Sequence, residues 1–280
     1  VCNVSRSKKL KVLNSFFTEE LIDQKKLSNK FDIIFAANVI CHIPNMLSLF
    51  KCVEKSLKQD GFFIFEEPYL GAMLEKTSYD QIYDEHFYMF SANSITSILD
   101  KFNLELVSAE RISTHGGSMR YYVKKTKSFK ISKQLKQVLK YEKDLKISKI
   151  KTIKKFAANC INSKKRILKI MNEIIAKDED IYGYGATSKS TTILHFCDVK
   201  DNFIQGIFDN TPTKINKHFP AKKIKIIDYK EFKTIKPKYC FLFAWNHYKE
   251  IFKKEKKNQI KWFCHINKKH FPKNVRKNFI

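Results

Sequence analysis

Apolar and polar positions along this chain fall into two different rhythms, and their alternation predicts a layered α/β protein. Between residues 11 and 123, short apolar runs predict strands at Lys11–Phe16, Phe31–Val39 and Phe62–Glu66. The second of these, FDIIFAANV, is unbroken in the way expected of a buried parallel strand. Between the runs the spacing becomes helical. Leu47, Phe50, Val53 and Leu57 recur at three- and four-residue steps and predict a helix over about Met46–Lys58, started by Pro44-Asn45. Asp60-Gly61 reads as the turn that follows. A second helix is predicted over Ser91–Lys101, with Ser91 at its cap and Ile95, Ile98, Leu99 and Phe102 on one face. Leu104–Ile112 and Met119–Val123 then predict an antiparallel hairpin around His115-Gly116-Gly117, closing an otherwise parallel sheet.

Residues 124–180 lack glycine and proline and carry 18 basic against 6 acidic side chains. A helical stripe of Ile131, Leu135, Val138, Leu139, Leu145, Ile150 and Ile153 resumes at Ile167, Leu168, Met171 and Ile174. It predicts one or two long helices connecting two domains. A second α/β unit is predicted from residue 181. Ile181–Lys189 reads as strand, glycine turn and helix, followed by strands at Phe203–Asp209, Ile224–Ile227 and Tyr239–Ala244.

Composition narrows the class. The chain has 280 residues, 43% hydrophobic and 14% aromatic, enough for sizeable cores despite 29% charge. The formal net charge of +26 asks whether phosphate is the partner. The lysines are dispersed rather than gathered, few aromatics interleave with them, and arginine is confined to Arg6, Arg111, Arg120, Arg166 and Arg276. That pattern argues for solvated faces and against a specific nucleic-acid site. No apolar run reaches a membrane span. Seven scattered cysteines without a CxxC pair argue against a disulfide framework or structural zinc and for a reducing cytoplasm. The opening on Val1, within a helical pattern, suggests an N-terminally truncated sequence.

Three constellations could carry chemistry. Gly183-Tyr-Gly185 between strand and helix is half of a dinucleotide fingerprint, with Ser188 where the third glycine would stand. Asp209 ends the next predicted strand, where a ribose hydroxyl is often held. The densest cluster is Asp80-Gln-Ile-Tyr83-Asp84-Glu85-His86-Phe-Tyr88. A histidine beside a carboxylate suits proton transfer near neutrality, and a tyrosine can hydrogen-bond a developing oxyanion. The same charges would also serve a plain capping loop. His42, after the long apolar run, lies where open α/β sheets bind ligands, though a histidine there is equally a helix-start residue.

Six motifs occur together and in order: Asn38-Val-Ile-Cys-His-Ile-Pro44, Glu66-Glu-Pro-Tyr-Leu70, Tyr79-Asp-Gln-Ile-Tyr-Asp-Glu-His-Phe87, His115-Gly-Gly117, Gly183-Tyr-Gly-Ala-Thr-Ser-Lys189 and Phe243-Ala-Trp-Asn-His247. The set resembles the SAM-dependent sugar C-methyltransferases, which methylate carbon 3 of nucleotide-linked 4-keto deoxysugars. The resemblance implies an incomplete Rossmann-type class I methyltransferase domain (residues 1–125), a helical connector (126–178) and a second Rossmann-like α/β domain (179–280). It implies His86 as the base that forms an enolate, Tyr83 at the keto oxygen, Glu85 as orienter and His42 as substrate positioner. Phe16 and Asn38 would edge the SAM site. Gly183, Gly185, Lys189, Trp245 and Asn246 would lie on the nucleotide-sugar side. The family's zinc domain and glycine-rich SAM loop would precede Val1, and Ser15 stands where the family tends to place an acid. Two other classes stay open: a non-catalytic nucleotide-sugar-binding fragment and a basic nucleic-acid-binding protein.

Overall fold

The computed structural model describes residues 2–126 and 130–280, so the start of the expected connector at 127–129 lies outside it. The chain forms two compact units, and each is built from more than one stretch. The first comprises Val1–Glu67, Phe87–Ile112 and Ser118–Asp144; the second comprises Pro68–His86, Ser113–Gly117 and Leu145–Ile280.

The first unit holds a four-stranded sheet in the order β1-β2-β4-β3, with β1 Phe31–Ala37, β2 Leu57–Pro68, β3 Glu105–Ile112 and β4 Ser118–Lys124. β1 and β2 are parallel, and β3 and β4 form the expected antiparallel hairpin. Alternation along β2 buries Phe63 and Phe65 on one face, where the Met46–Ser56 helix delivers Phe50 and Val53. Phe65 stacks on Tyr121 at 4.7 Å, and Phe50 meets Phe63 edge-on at 6.1 Å. Burying each such ring contributes roughly 1.5–3 kcal/mol. Ser91 caps the Ala92–Leu99 helix through a capping box, as its position predicts. The buried Glu142, on the Lys133–Leu145 helix, accepts the Ala92 N–H at 2.7 Å and thereby binds that helix to this unit.

Several expectations are corrected here. Residues 11–16 form no strand: among the described residues β1 pairs only with β2, residues 11–16 do not add to its other edge, and Phe16 is 89% exposed. Asp60-Gly61 does not end a helix-turn-strand step. It lies inside the continuous β2, where Asp60 takes a φ of +61° and the register with β1 shifts. Leu57 is therefore in a strand, and Leu47 faces outward. Ile150 and Ile153 also leave the apolar stripe and are exposed.

The second unit holds a fully parallel five-stranded sheet, ordered β7-β6-β5-β8-β9. Its strands are β5 Ile181–Tyr184, β6 Gly206–Asp209, β7 Ile226–Asp228, β8 Tyr239–Leu242 and β9 Lys261–Phe263. The strand order reverses at β5, which is the doubly wound arrangement. The observed β6 is shorter than the predicted Phe203–Asp209, since Phe203 lies in a bend before it, and β9 had no sequence expectation. The 26-residue Ile150–Ile175 helix packs Ile167, Met171 and Ile174 inward.

Candidate functional site

Within the second unit, the segment Tyr79–His86 is secured at many points. A 3₁₀ turn runs from Tyr79 to Gln81 and buries both residues together with Asp80. The Tyr79 hydroxyl lies 3.4 Å from Cys197 Sγ and 3.5 Å from Ser163 Oγ. Gln81 Nε2 donates to the His115 carbonyl at 2.7 Å, and Thr192 Oγ1 donates to the Ile82 carbonyl at 3.2 Å. The loop is thus held against the glycine turn at 115–117 and against the Ser188–Phe196 helix.

His86 ends this segment, half-buried. Its ring lies 4.1 Å from that of Tyr83, inclined by 38°. His86 Nδ1 is 2.8 Å from the Gln81 carbonyl oxygen. A carbonyl only accepts, so Nδ1 carries the proton and, in the neutral ring, the lone pair sits on Nε2. This is the arrangement a general base requires: one nitrogen fixed from behind, the other basic. Glu85 is exposed.

Tyr83, Asp84 and Glu85 line a cavity of about 730 Å³ together with Thr187, Thr191, His195, Lys214 and Lys217. Its wall is rich in hydroxyls and cations. A second cavity of about 420 Å³ lies at the carboxyl ends of β5, β6 and β8, walled by Gly185, Asp209, Tyr229 and His247.

The glycine turn is shaped by packing. A Cβ on Gly183 would stand 2.6 Å from Ile207 Cγ1, and Gly185 has a φ of +89° with Ala244 Cβ 2.5 Å from where its own would be. Asp209 accepts the Ala186 N–H at 2.8 Å and the Thr211 N–H at 2.8 Å, so an internal carboxylate already sits at the turn. Trp245 is buried, and its Nε1 donates to Asp80 Oδ2 at 2.8 Å. The Lys189 ammonium is enclosed without a hydrogen-bond partner among the described residues. Burial lowers its pKa, against the opposing pull of Asp80. Asn246 is half-buried.

Three expected residues belong to the first unit. Asn38 follows β1 with a φ of +53°, a conformation asparagine tolerates, and its buried Oδ1 has no hydrogen-bond partner among the described residues. His42 closes the Ile40–His42 3₁₀ turn and is half-buried. Phe16 stands in irregular, exposed chain. The element that sets Asn38–His42 is Glu67, whose Oε1 accepts the N–H groups of Val39 at 3.0 Å and Ile40 at 2.6 Å. Burial raises the Glu67 pKa above its usual 4.5 despite these donors and Cys41.

Glu67, Asp80 and His265 had no role in the sequence reading. Glu67 and Asp80 stood inside quoted motifs and could have been singled out there as carboxylates flanked by apolar residues. His265 follows the unexpected β9 and had no such signal.

Comparison with known proteins agrees with this architecture. Residues 113–266 match the family model described as C-methyltransferase C-terminal domain, and residues 2–109 match a methyltransferase domain. The C-methyltransferase NovU of Streptomyces niveus is 26% identical over 225 residues, covering 80% of this chain and 54% of that protein. The chain therefore spans about half the length of this curated relative.

Proposed function

The chain belongs to the C-methyltransferase C-terminal domain family, and on that premise we propose that it is the catalytic and C-terminal part of a SAM-dependent C-methyltransferase that methylates a nucleotide-linked keto deoxysugar at carbon 3. The observation that carries the reading is the His86–Tyr83 pair, with Nδ1 of the imidazole held by the Gln81 carbonyl.

A C–H beside a ketone is acidic enough to be removed when a base and an oxyanion partner are both in place. His86 Nε2 takes that proton, and the Tyr83 hydroxyl donates to the keto oxygen as charge develops there. Glu85 orients the pair, and His42 positions the sugar. The hydroxyl- and cation-rich cavity beside Tyr83 suits a sugar-nucleotide, while Gly185 lines the second cavity and Asn246 follows β8; both are candidate nucleotide-sugar residues. Gly183 and Trp245 support it from within, and Lys189 from beside Asp80.

For the cofactor, Asn38 and Phe16 are the residues on offer. Asn38 Oδ1, a buried acceptor without a hydrogen-bond partner among the described residues, fits a ligand that brings amine donors, as SAM does. When bound, SAM supplies an electrophilic methyl group on a sulfonium sulfur. No helix among the described residues is long and apolar enough to cross a membrane. A reducing, cytoplasmic setting is proposed from the seven scattered cysteines without a CxxC pair.

The test is deuterium exchange from solvent into the sugar carbon of nucleotide keto sugars, alongside methyl transfer, in the intact protein. His86→Ala is expected to abolish exchange and lower kcat roughly 10²–10⁴-fold. Exchange at the wild-type rate in this variant removes His86 from the role. Absence of any methyl transfer by the intact protein leaves a nucleotide-sugar-binding module in its place.

A further inference from the structure

A carboxylate buried as deeply as Asp80 is expensive, by several kcal/mol, unless its surroundings compensate it. Asp80 is 0% exposed and His265 1% exposed. His265 Nε2 lies 2.9 Å from Asp80 Oδ1, and Trp245 Nε1 donates to Oδ2. Trp245 is itself confined. A Cβ on Gly116 would stand 2.1 Å from its ring, and Lys76, which donates to the Gly116 carbonyl, places its ammonium 5.9 Å from that ring. The residue after Asp80 is Gln81, whose carbonyl holds His86 Nδ1 and whose side chain is tied to His115.

One peptide thus separates a rigidly held carboxylate from the acceptor that decides which nitrogen of His86 bears the proton. A well-packed apolar residue at position 80 would fill the same space without the burial cost. It could not fix the direction of the segment, because apolar contacts carry no angular preference comparable to that of an indole N–H on one carboxylate oxygen with a histidine ring against the other.

We infer that Asp80, held by Trp245 and His265, is a positioning residue that sets the Gln81 carbonyl and through it the Nδ1–H tautomer of His86. Its catalytic meaning rests on the reading of His86 as the base. The tautomer itself does not, and the experiment therefore reads the tautomer rather than turnover.

The measurement is ¹⁵N NMR of imidazole nitrogens in the intact protein at a pH where His86 is neutral, with the His86 signals identified by their loss in His86→Gln. Wild-type protein is expected to show a protonated-type Nδ1 and an unprotonated-type Nε2. In Asp80→Asn and in Trp245→Phe the two resonances are expected to shift toward each other as the second tautomer is admitted. Trp245→Phe removes the indole donor while keeping an aromatic ring in the site, so it serves if Asp80→Asn does not fold. Phe232→Leu, a core truncation in the same unit, is the control for lost stability and is expected to leave the pattern unchanged. Wild-type resonances in a folded Asp80→Asn or Trp245→Phe overturn the inference. So does an equal shift in Phe232→Leu, which makes the effect one of general loosening.

Discussion

Glu67 and Asp80 are both fully buried carboxylates on either side of the change from the first unit to the second, yet their acidities move in opposite directions. Burial pushes both upward. At Glu67 the opposing groups are backbone N–H dipoles and a thiol, and burial wins, so the pKa is raised. At Asp80 burial is again the largest single influence, but His265, Lys189 and the Trp245 N–H together outweigh it and the pKa is lowered. Nearby basic side chains set the two apart. Dipoles can orient a buried acid; at Asp80, basic side chains join the Trp245 N–H in keeping it ionised.

The largest effect expected from this contrast is at Asp80. Removing one member of a buried charge cluster leaves the others uncompensated, so Asp80→Ala is expected to cost about 3–5 kcal/mol in urea unfolding of the intact protein. A loss below about 1 kcal/mol would break the comparison. The lowered pKa also fixes a sign. Asp80 contributes stability that is present above its usual 3.8 and disappears as pH falls through the depressed value. Asp80→Asn should therefore flatten the acid limb of the stability curve.

An intermediate effect is expected at Gly116, which has a φ of +87° and faces the Trp245 ring. Gly116→Ala displaces the donor to Asp80 and should cost about 1–3 kcal/mol. Indole fluorescence would report the moved ring. A variant with wild-type stability and emission would show that Trp245 has more freedom than the packing allows.

The smallest effect is expected at Glu67. Glu67→Gln keeps an oxygen acceptor for Val39 and Ile40 and should change stability at neutral pH by less than about 1 kcal/mol. Its signature lies in pH dependence. The contribution of a carboxyl with a raised pKa is fully present below 4.5 and is lost as pH rises through the raised value. Thermal melts across pH 4 to 8 should show that decline in the wild type and lose it in Glu67→Gln. An unchanged decline would assign it to another group.

Much of this architecture was legible because periodicity reports burial. FDIIFAANV became the parallel strand β1, but not the buried one its apolar run predicts: it ends the strand order, paired on one side only, and leaves Ile33 and Phe35 exposed. The Ser91 cap held, and the His115-Gly-Gly turn joined the expected hairpin. Lys11–Phe16 misled because a short apolar run says nothing of whether a neighbouring ladder takes it up. The interleaving of the units was also illegible, since local patterns carry no information about which stretch packs with which. The candidate site was legible in the Tyr83–His86 motif, while its support was not. His265 lies in a stretch whose periodicity predicts no element, and its pairing with Asp80 is a property of the tertiary fold.

The second unit takes Pro68–His86 and Ser113–Gly117 from early in the chain and the rest from far later, which has a consequence for its birth. Trp245 follows Asp80 by 165 residues. At bacterial or eukaryotic elongation rates that interval lasts roughly eight to thirty seconds. During translation Tyr79–His86 therefore waits in water, its carboxylate hydrated and its tyrosines uncovered, until the last strands of the parallel sheet emerge. Long-range closure of this kind is slow, and an exposed aromatic segment is a natural client for chaperones while it lasts.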